Sequence, residues 1–220
     1  GIVMYLLSAG TKMQSEVTVS WGVLLKRGIV IMISSLVYFA FLRIDNFFVQ
    51  RYTDDITLGN YVQCGRIGQY FLYFSSVISS TLLPFIAAES IGHSFAEWKK
   101  VISPYILMIV AGAVIIALCG KTLFPFLFGD DFNLMYPLML IMLPGYVCLG
   151  IVTLMNAIYI GKGNIRKILW GDIGALLLVT LLDAIFVPTY GARGAALISC
   201  AAYIALFLYL FTGFKKQFSV

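Results

Sequence analysis

The segment from Gly28 to Gln50, GIVIMISSLVYFAFLRIDNFFVQ, constrains this chain more than any other, because it is long and apolar enough to cross a bilayer yet holds Arg43 and Asp45. About 20 apolar residues, rising about 1.5 Å each in a helix, match the roughly 30 Å of hydrocarbon in a membrane. A charged side chain at the centre of such a helix costs about 2.5–3.5 kcal/mol on insertion scales, so each must face protein or water rather than lipid. Whatever the chain folds into must bring other helices, or an aqueous space, against these two residues.

Similar apolar runs recur to the end of the chain. Spans are expected at Gly28–Gln50, Leu58–Ala88, Ile102–Cys119, Leu134–Ile160, Ile168–Val187 and Ala195–Phe214. Between them lie the polar connections RYTDD (51–55), ESIGHSFAEWKK (89–100), GKTLFPFLFGDDFN (120–133), GKGNIRK (161–167) and the turn PTYGARG (188–194). Pro104 is expected in a first helical turn, where a missing N–H is harmless, and Pro144-Gly145 at a kink. Residues 1–9 read as the end of a preceding membrane helix, 10–27 as a cytoplasmic or interfacial loop, 28–214 as a six-helix body and 215–220 as a cytoplasmic tail. Gly1 then reads as a cut inside a longer polypeptide, and GIVMYLLSAG lacks the basic start of a cleavable signal. The fold class is all-α, a polytopic membrane protein of six spans. Charged residues make up only 11% and hydrophobic ones 61%, against about 25% charged in soluble domains.

The net charge of +5 is a topology signal. One set of connections carries Lys12, Lys26, Arg27, Lys99, Lys100, Lys162, Arg166, Lys167, Lys215 and Lys216, whereas the alternate set carries Arg51, Lys121 and Arg193. Basic residues near helix ends stay in the cytoplasm, so the C-terminus is placed there and nucleic acid is not expected as a partner. The four cysteines, Cys64, Cys119, Cys148 and Cys200, sit in apolar segments without metal spacing and read as packing residues. The single histidine, His93, has no second ligand at a suitable spacing. No metal, cofactor or catalytic set is expected, and the chain does not read as an enzyme.

Helical phase decides which polar groups act together, since residues three or four apart share a face. Arg43, Asn46 and Gln50 form one stripe, with Asp45 pointing roughly the other way. Gln63, Arg66, Tyr70 and Tyr73 form a stripe on the next span. Two helices joined by a short turn thus each offer an arginine flanked by amides or phenols. Such a lining suits a water-filled cavity for an anionic, hydroxyl-rich ligand, because Arg grips phosphate oxygens bidentately. The plainer alternative pairs Arg66 with Asp45 between packed helices. Asp172 and Asp183 lie roughly 16 Å apart on nearly one face of the fifth span. They read either as an ion-coupling pair or as structural partners, Asp172 at the positive helix N-terminus beside Arg166 and Lys167 and Asp183 close to Arg193.

At FLRIDNFFVQRYTDDITLGNYVQCGRIGQYFLYFSSVISSTLLPFIAAES (41–90) the chain resembles the polysaccharide flippases of the multidrug/oligosaccharidyl-lipid/polysaccharide exporter superfamily. LFGDDF (127–132), GKGNIRK and LLDAIFVPTYGARGAALIS (181–199) extend the resemblance over roughly residues 20–213, with Asp183 where such sequences commonly carry Asn. The resemblance implies one C-terminal lobe of a two-lobe transporter in a bacterial or archaeal inner membrane. The N-terminal six-helix lobe, membrane lipid, a lipid-pyrophosphate-linked glycan and the polysaccharide polymerase machinery would be its partners. It implies translocation of that glycolipid by alternating access for surface polysaccharide biosynthesis, with Arg43 and Arg66 on the cavity. A cation-coupled multidrug exporter of the same superfamily is the alternative. A membrane-embedded glycan polymerase or acyltransferase would need a large outer loop carrying catalytic residues.

Overall fold

A computed structural model describes residues 21–87, 95–214 and 217. The expectations for residues 1–20, for 89–94 of the 89–100 connection with His93, and for Lys215 and Lys216 lie outside them. The described residues form helices in the order α1 (Trp21–Phe41), α2 (Ile44–Tyr52), α3 (Asp55–Ala87), α4 (Phe95–Phe128), α5 (Met135–Gly161) and α6 (Ile165–Phe214), with a 3-10 turn at Asp130–Phe132. Four segments are long and apolar enough to cross a membrane: Gly28–Tyr52, Trp98–Phe128, Met135–Gly161 and Ile165–Phe214. Their outer faces expose large apolar side chains, among them Leu36, Phe39, Leu107, Leu118, Leu181 and Ile185. Such surface suits lipid contact, where every backbone polar group is satisfied inside a helix.

The apolar α6 is folded in two. Gly191 has φ 57° and ψ −145°, a conformation that only glycine adopts without strain, and it divides the helix into arms 165–190 and 192–214. The arms lie side by side: a Cβ on Gly171 would touch Leu206 and Tyr209, and one on Gly213 would overlap Lys167. This is the turn expected at PTYGARG, narrowed to one residue.

The core is built around α5, which packs on α3, α4 and α6, while α1 and α2 lie against α6. At Gly145 a Cβ would come within 2.9 Å of the Cys200 Cα, so α5 and the second arm of α6 meet backbone to backbone. Close approach through small residues replaces the hydrophobic driving force that lipid removes. Gly145 thus serves that contact, and α5 runs on as one helix through Pro144. Beside it Tyr203 stacks edge-on against Phe41 at 5.4 Å and packs at 5.5 Å against Tyr146. Trp98 closes one end against Phe214 at 4.6 Å, and the Tyr159 hydroxyl donates to the Leu210 carbonyl at 2.7 Å.

Four boundaries differ from expectation. The first span is broken at Leu42-Arg43, where the Arg43 amide reaches the Ala40 carbonyl, three residues back. The 21–27 part of the expected entry loop is already helical. The expected loop at 120–133 is helix as far as Phe128, because Phe124 is buried and Tyr136 donates to the Ala117 carbonyl at 2.8 Å, which anchors that end of α4. Residues 95–100 are helical too, so Pro104 sits well inside α4 and not in a first turn.

Candidate functional site

The break at Leu42-Arg43 sends its two charged neighbours to opposite sides of α2. Asp45 turns inward to the seam where α2 meets α3 and the second arm of α6. Its carboxylate accepts from the Tyr61 hydroxyl at 2.6 Å, the Ser199 hydroxyl at 3.1 Å and the Asn46 amide at 2.8 Å. All three donors are neutral, and they satisfy a side chain that is 3% exposed. Asp45, read from the sequence as an ion-coupling group or a structural partner, is bonded to a phenol and a hydroxyl and not to Arg66.

Arg43 turns the other way, into a cleft between α1 and α3. These two helices barely touch, since α1 leans on α6 and α3 on α5. The opening between them has a volume of about 350 Å³, lined by Ser35, Tyr38, Phe39, Leu42, Arg43, Gln69, Leu72, Tyr73, Ser76 and Thr153. Arg43 is half-buried and donates from Nη2 to the Gln69 Oε1 at 3.1 Å. A guanidinium carries five N–H donors in a planar fork, so one bond to a neutral amide leaves most of them unspent. The arrangement can hold an oxyanion inside an otherwise apolar wall.

The expected cavity stripe is only partly assembled. Tyr73 joins Arg43 in the cleft, and its ring meets Tyr70 edge-on at 6.4 Å. Arg66 lies on the exposed face of α3 and donates to the Gln63 Oε1 at 3.2 Å, outside the Arg43 cleft. Asn46 is half-buried, while Gln50 and Tyr70 are exposed and none of the three lines the cleft. The stripe that does reach it on α3 is Gln69, Tyr73 and Ser76, one residue out of phase with the expected one. Gln69 was a visible signal, an amide inside an apolar span one turn after Arg66. Tyr38 and Thr153 carry no such mark, since each is an ordinary residue of an apolar helix.

The chain matches no family model, no curated protein and no solved structure. Function is therefore argued from its own side chains.

Two further acids are buried on the first arm of α6. Asp172, 2% exposed, accepts from the Ser34 hydroxyl of α1 at 3.0 Å. It lies two turns into α6, beyond the helix N-terminus, so the dipole does not account for it. Nor is it beside a free Lys167 head group, since that ammonium sits over the rings of Tyr159 and Tyr209, at 5.5 and 5.4 Å. Asp183 is fully buried, and among the described residues neither carboxylate oxygen has a hydrogen-bond partner. Arg193, expected nearby, is exposed beyond Gly191. Cys64 is buried with its thiol 3.4 Å from the Met139 sulfur, Cys148 and Cys200 are half-buried, and Cys119 is exposed.

Proposed function

We propose that the chain is a six-span lobe of a transporter that carries a lipid-linked, anionic glycan across a membrane by alternating access. The observation that carries this is Arg43. A cation at membrane depth, half-buried in an open cleft and bonded only to a neutral amide, stands against the cost of placing charge in lipid. Tyr73 offers a phenol, and Ser35, Ser76 and Thr153, whose own protons go to the Ile31, Tyr73 and Leu149 carbonyls, offer oxygens that can accept from sugar hydroxyls. A second lobe facing the opening between α1 and α3 would close the cleft into a central chamber. Rocking of one lobe against the other would expose it first to one side and then to the other. The pyrophosphate and glycan would sit on the arginine while the lipid tail stays in the bilayer. On the other flank of α3, an apolar groove of about 390 Å³ against α4, lined by Ile67, Phe71, Met108 and Ile116, presents apolar surface to lipid.

The test is restoration of surface polysaccharide in a flippase-deficient bacterium by the intact protein. Arg43→Ala is expected to abolish restoration and Arg66→Ala to weaken it, with both variants present in the membrane at the normal level. Full restoration by Arg43→Ala rejects the anion contact on which the proposal stands.

A cation-coupled multidrug exporter is favoured by one observation, the unpartnered carboxylate of Asp183. A buried acid without a donor is a ready ligand for a proton or a metal cation. Drug export that depends on Asp183 and ignores Arg43 would select this alternative.

A further inference from the structure

At the end of the molecule where α2 turns into α3 and α6 folds at Gly191, a second cavity of about 690 Å³ opens. Its volume lies in the range of small-molecule sites. Arg51 and Tyr52 from the end of α2, Tyr190 and Arg193 from either side of Gly191, and Pro137 from the first turn of α5 line it. The walls are set by backbone geometry. Gly191 holds its positive φ where a Cβ would stand 3.4 Å from the Thr53 methyl, so the two turns that carry the arginines are neighbours at van der Waals distance.

The charge balance of this cavity is uneven. Arg51 and Arg193 are both exposed, and among the described residues neither makes a hydrogen bond or ion pair; the Arg51 guanidinium only rests 6.0 Å from the Tyr52 ring. The acid on the wall, Asp54, is already engaged. Its oxygens accept from the Thr57 amide at 3.0 Å and the Thr57 hydroxyl at 2.7 Å. Those bonds hold its carboxyl below the usual carboxylate range, so at neutral pH it is a single negative charge facing two uncommitted guanidiniums. Two tyrosines complete the lining, and such rings at the end of apolar helices sit at the depth of lipid headgroups.

We propose that this cavity is a binding site for a hydroxyl-bearing phosphate ester. Arg51 and Arg193 grip the phosphoryl oxygens, and Tyr52 and Tyr190 cover the hydroxylated group. The same chemistry is presented by a sugar phosphate and by a glycerol-phosphate lipid headgroup. The site shares no residue with the Arg43 cleft and stands whether or not the protein transports a glycan.

The test uses the intact protein in nanodiscs. In one arm, discs of phosphatidylcholine are titrated with glucose 1-phosphate by calorimetry. In the other, retention of phosphatidylglycerol from mixed discs is measured by native mass spectrometry. Binding in the first arm alone assigns a soluble or glycan phosphate, and binding in the second alone a lipid headgroup. In the arm that binds, the double variant Arg51→Gln/Arg193→Gln is expected to lower affinity by about tenfold or more. Arg51→Lys/Arg193→Lys should fall between it and the parent, because charge is kept while the bidentate fork is lost. Lys121→Ala, an exposed lysine of α4 that lines neither cavity, is the control and should bind as the parent does. Both substituted positions are exposed, so an unchanged melting temperature is expected. Silence in both arms, or a double Gln variant that binds like the parent, overturns the proposal.

Discussion

Arg43 and Asp45 are separated by one residue, yet they belong to two regions that treat charge in opposite ways. In the seam between α2, α3 and α6, Asp45 is buried and accepts from three neutral donors. In the cleft between α1 and α3, Arg43 makes one bond to a neutral amide and keeps the rest of its donors open. A polar group sealed by packing is costly to leave unsatisfied, because an unmade hydrogen bond there costs the full desolvation of the group. A polar group on a wet or occupiable wall can remain unspent. Unspent donors therefore mark the place where something arrives, and satisfied ones mark the place where helices are pinned.

The sharpest way to break this contrast is Asp45→Ala. It strands the Tyr61 phenol in the core, and unfolding in detergent should show a loss of about 3 kcal/mol. A loss under about 0.5 kcal/mol would mean that the seam holds water that can replace the carboxylate. Next in size is Asp183→Leu, buried on the first arm of α6 with no hydrogen-bond partner among the described residues. Replacing two unpaired oxygens by apolar atoms of similar bulk should raise stability by about 1 kcal/mol, read as a higher melting temperature. A lower melting temperature would show that a bound cation or proton was stabilising Asp183. Arg43→Gln should change stability by about 0.5 kcal/mol or less while removing transport, since its one bond joins neutral and charged groups across an open cleft.

The smallest effect is expected outside both regions, at Asp54. Its carboxyl is held below the usual range by Thr57, so its contribution to stability is present above the ordinary carboxylate pKa. That contribution disappears as pH falls through the lowered value. Thr57→Val should raise the Asp54 carboxyl towards the ordinary value, visible as a shifted carboxyl carbon titration by NMR. An unmoved titration would show that the helix start, and not Thr57, sets its acidity.

Much of the architecture was written in apolar runs longer than any soluble core helix needs. Their length and the scarcity of charge announce a helical membrane protein before any contact is known. The ends of the helices were less legible. Gly120, Lys121 and Thr122 look like the start of a loop, yet α4 continues because Phe124 finds a buried site and a long Lys side chain can remain exposed at the helix surface. The candidate site was half legible. Arg43 and Tyr73 stood out by residue type and spacing, whereas Arg66 was placed by phase on a face that its helix turns away from the Arg43 cleft. Helical phase gives the angle between side chains on one helix, but not the direction in which the helix as a whole is rotated.

The sequence by itself determined the class of solvent, the helical periodicity, a turn within residues 188–194 and the opposed directions of Arg43 and Asp45, because these follow from local chemistry and from the angle per residue. Tertiary structure alone decided that Tyr61 and Ser199 hold Asp45, that Ser34 holds Asp172, that Asp183 is left without a donor, and that Arg51 and Arg193 share one cavity. Each of those pairs joins residues far apart in the chain, and the partner is chosen by how helices lean on α5 and α6, a choice that no single segment encodes.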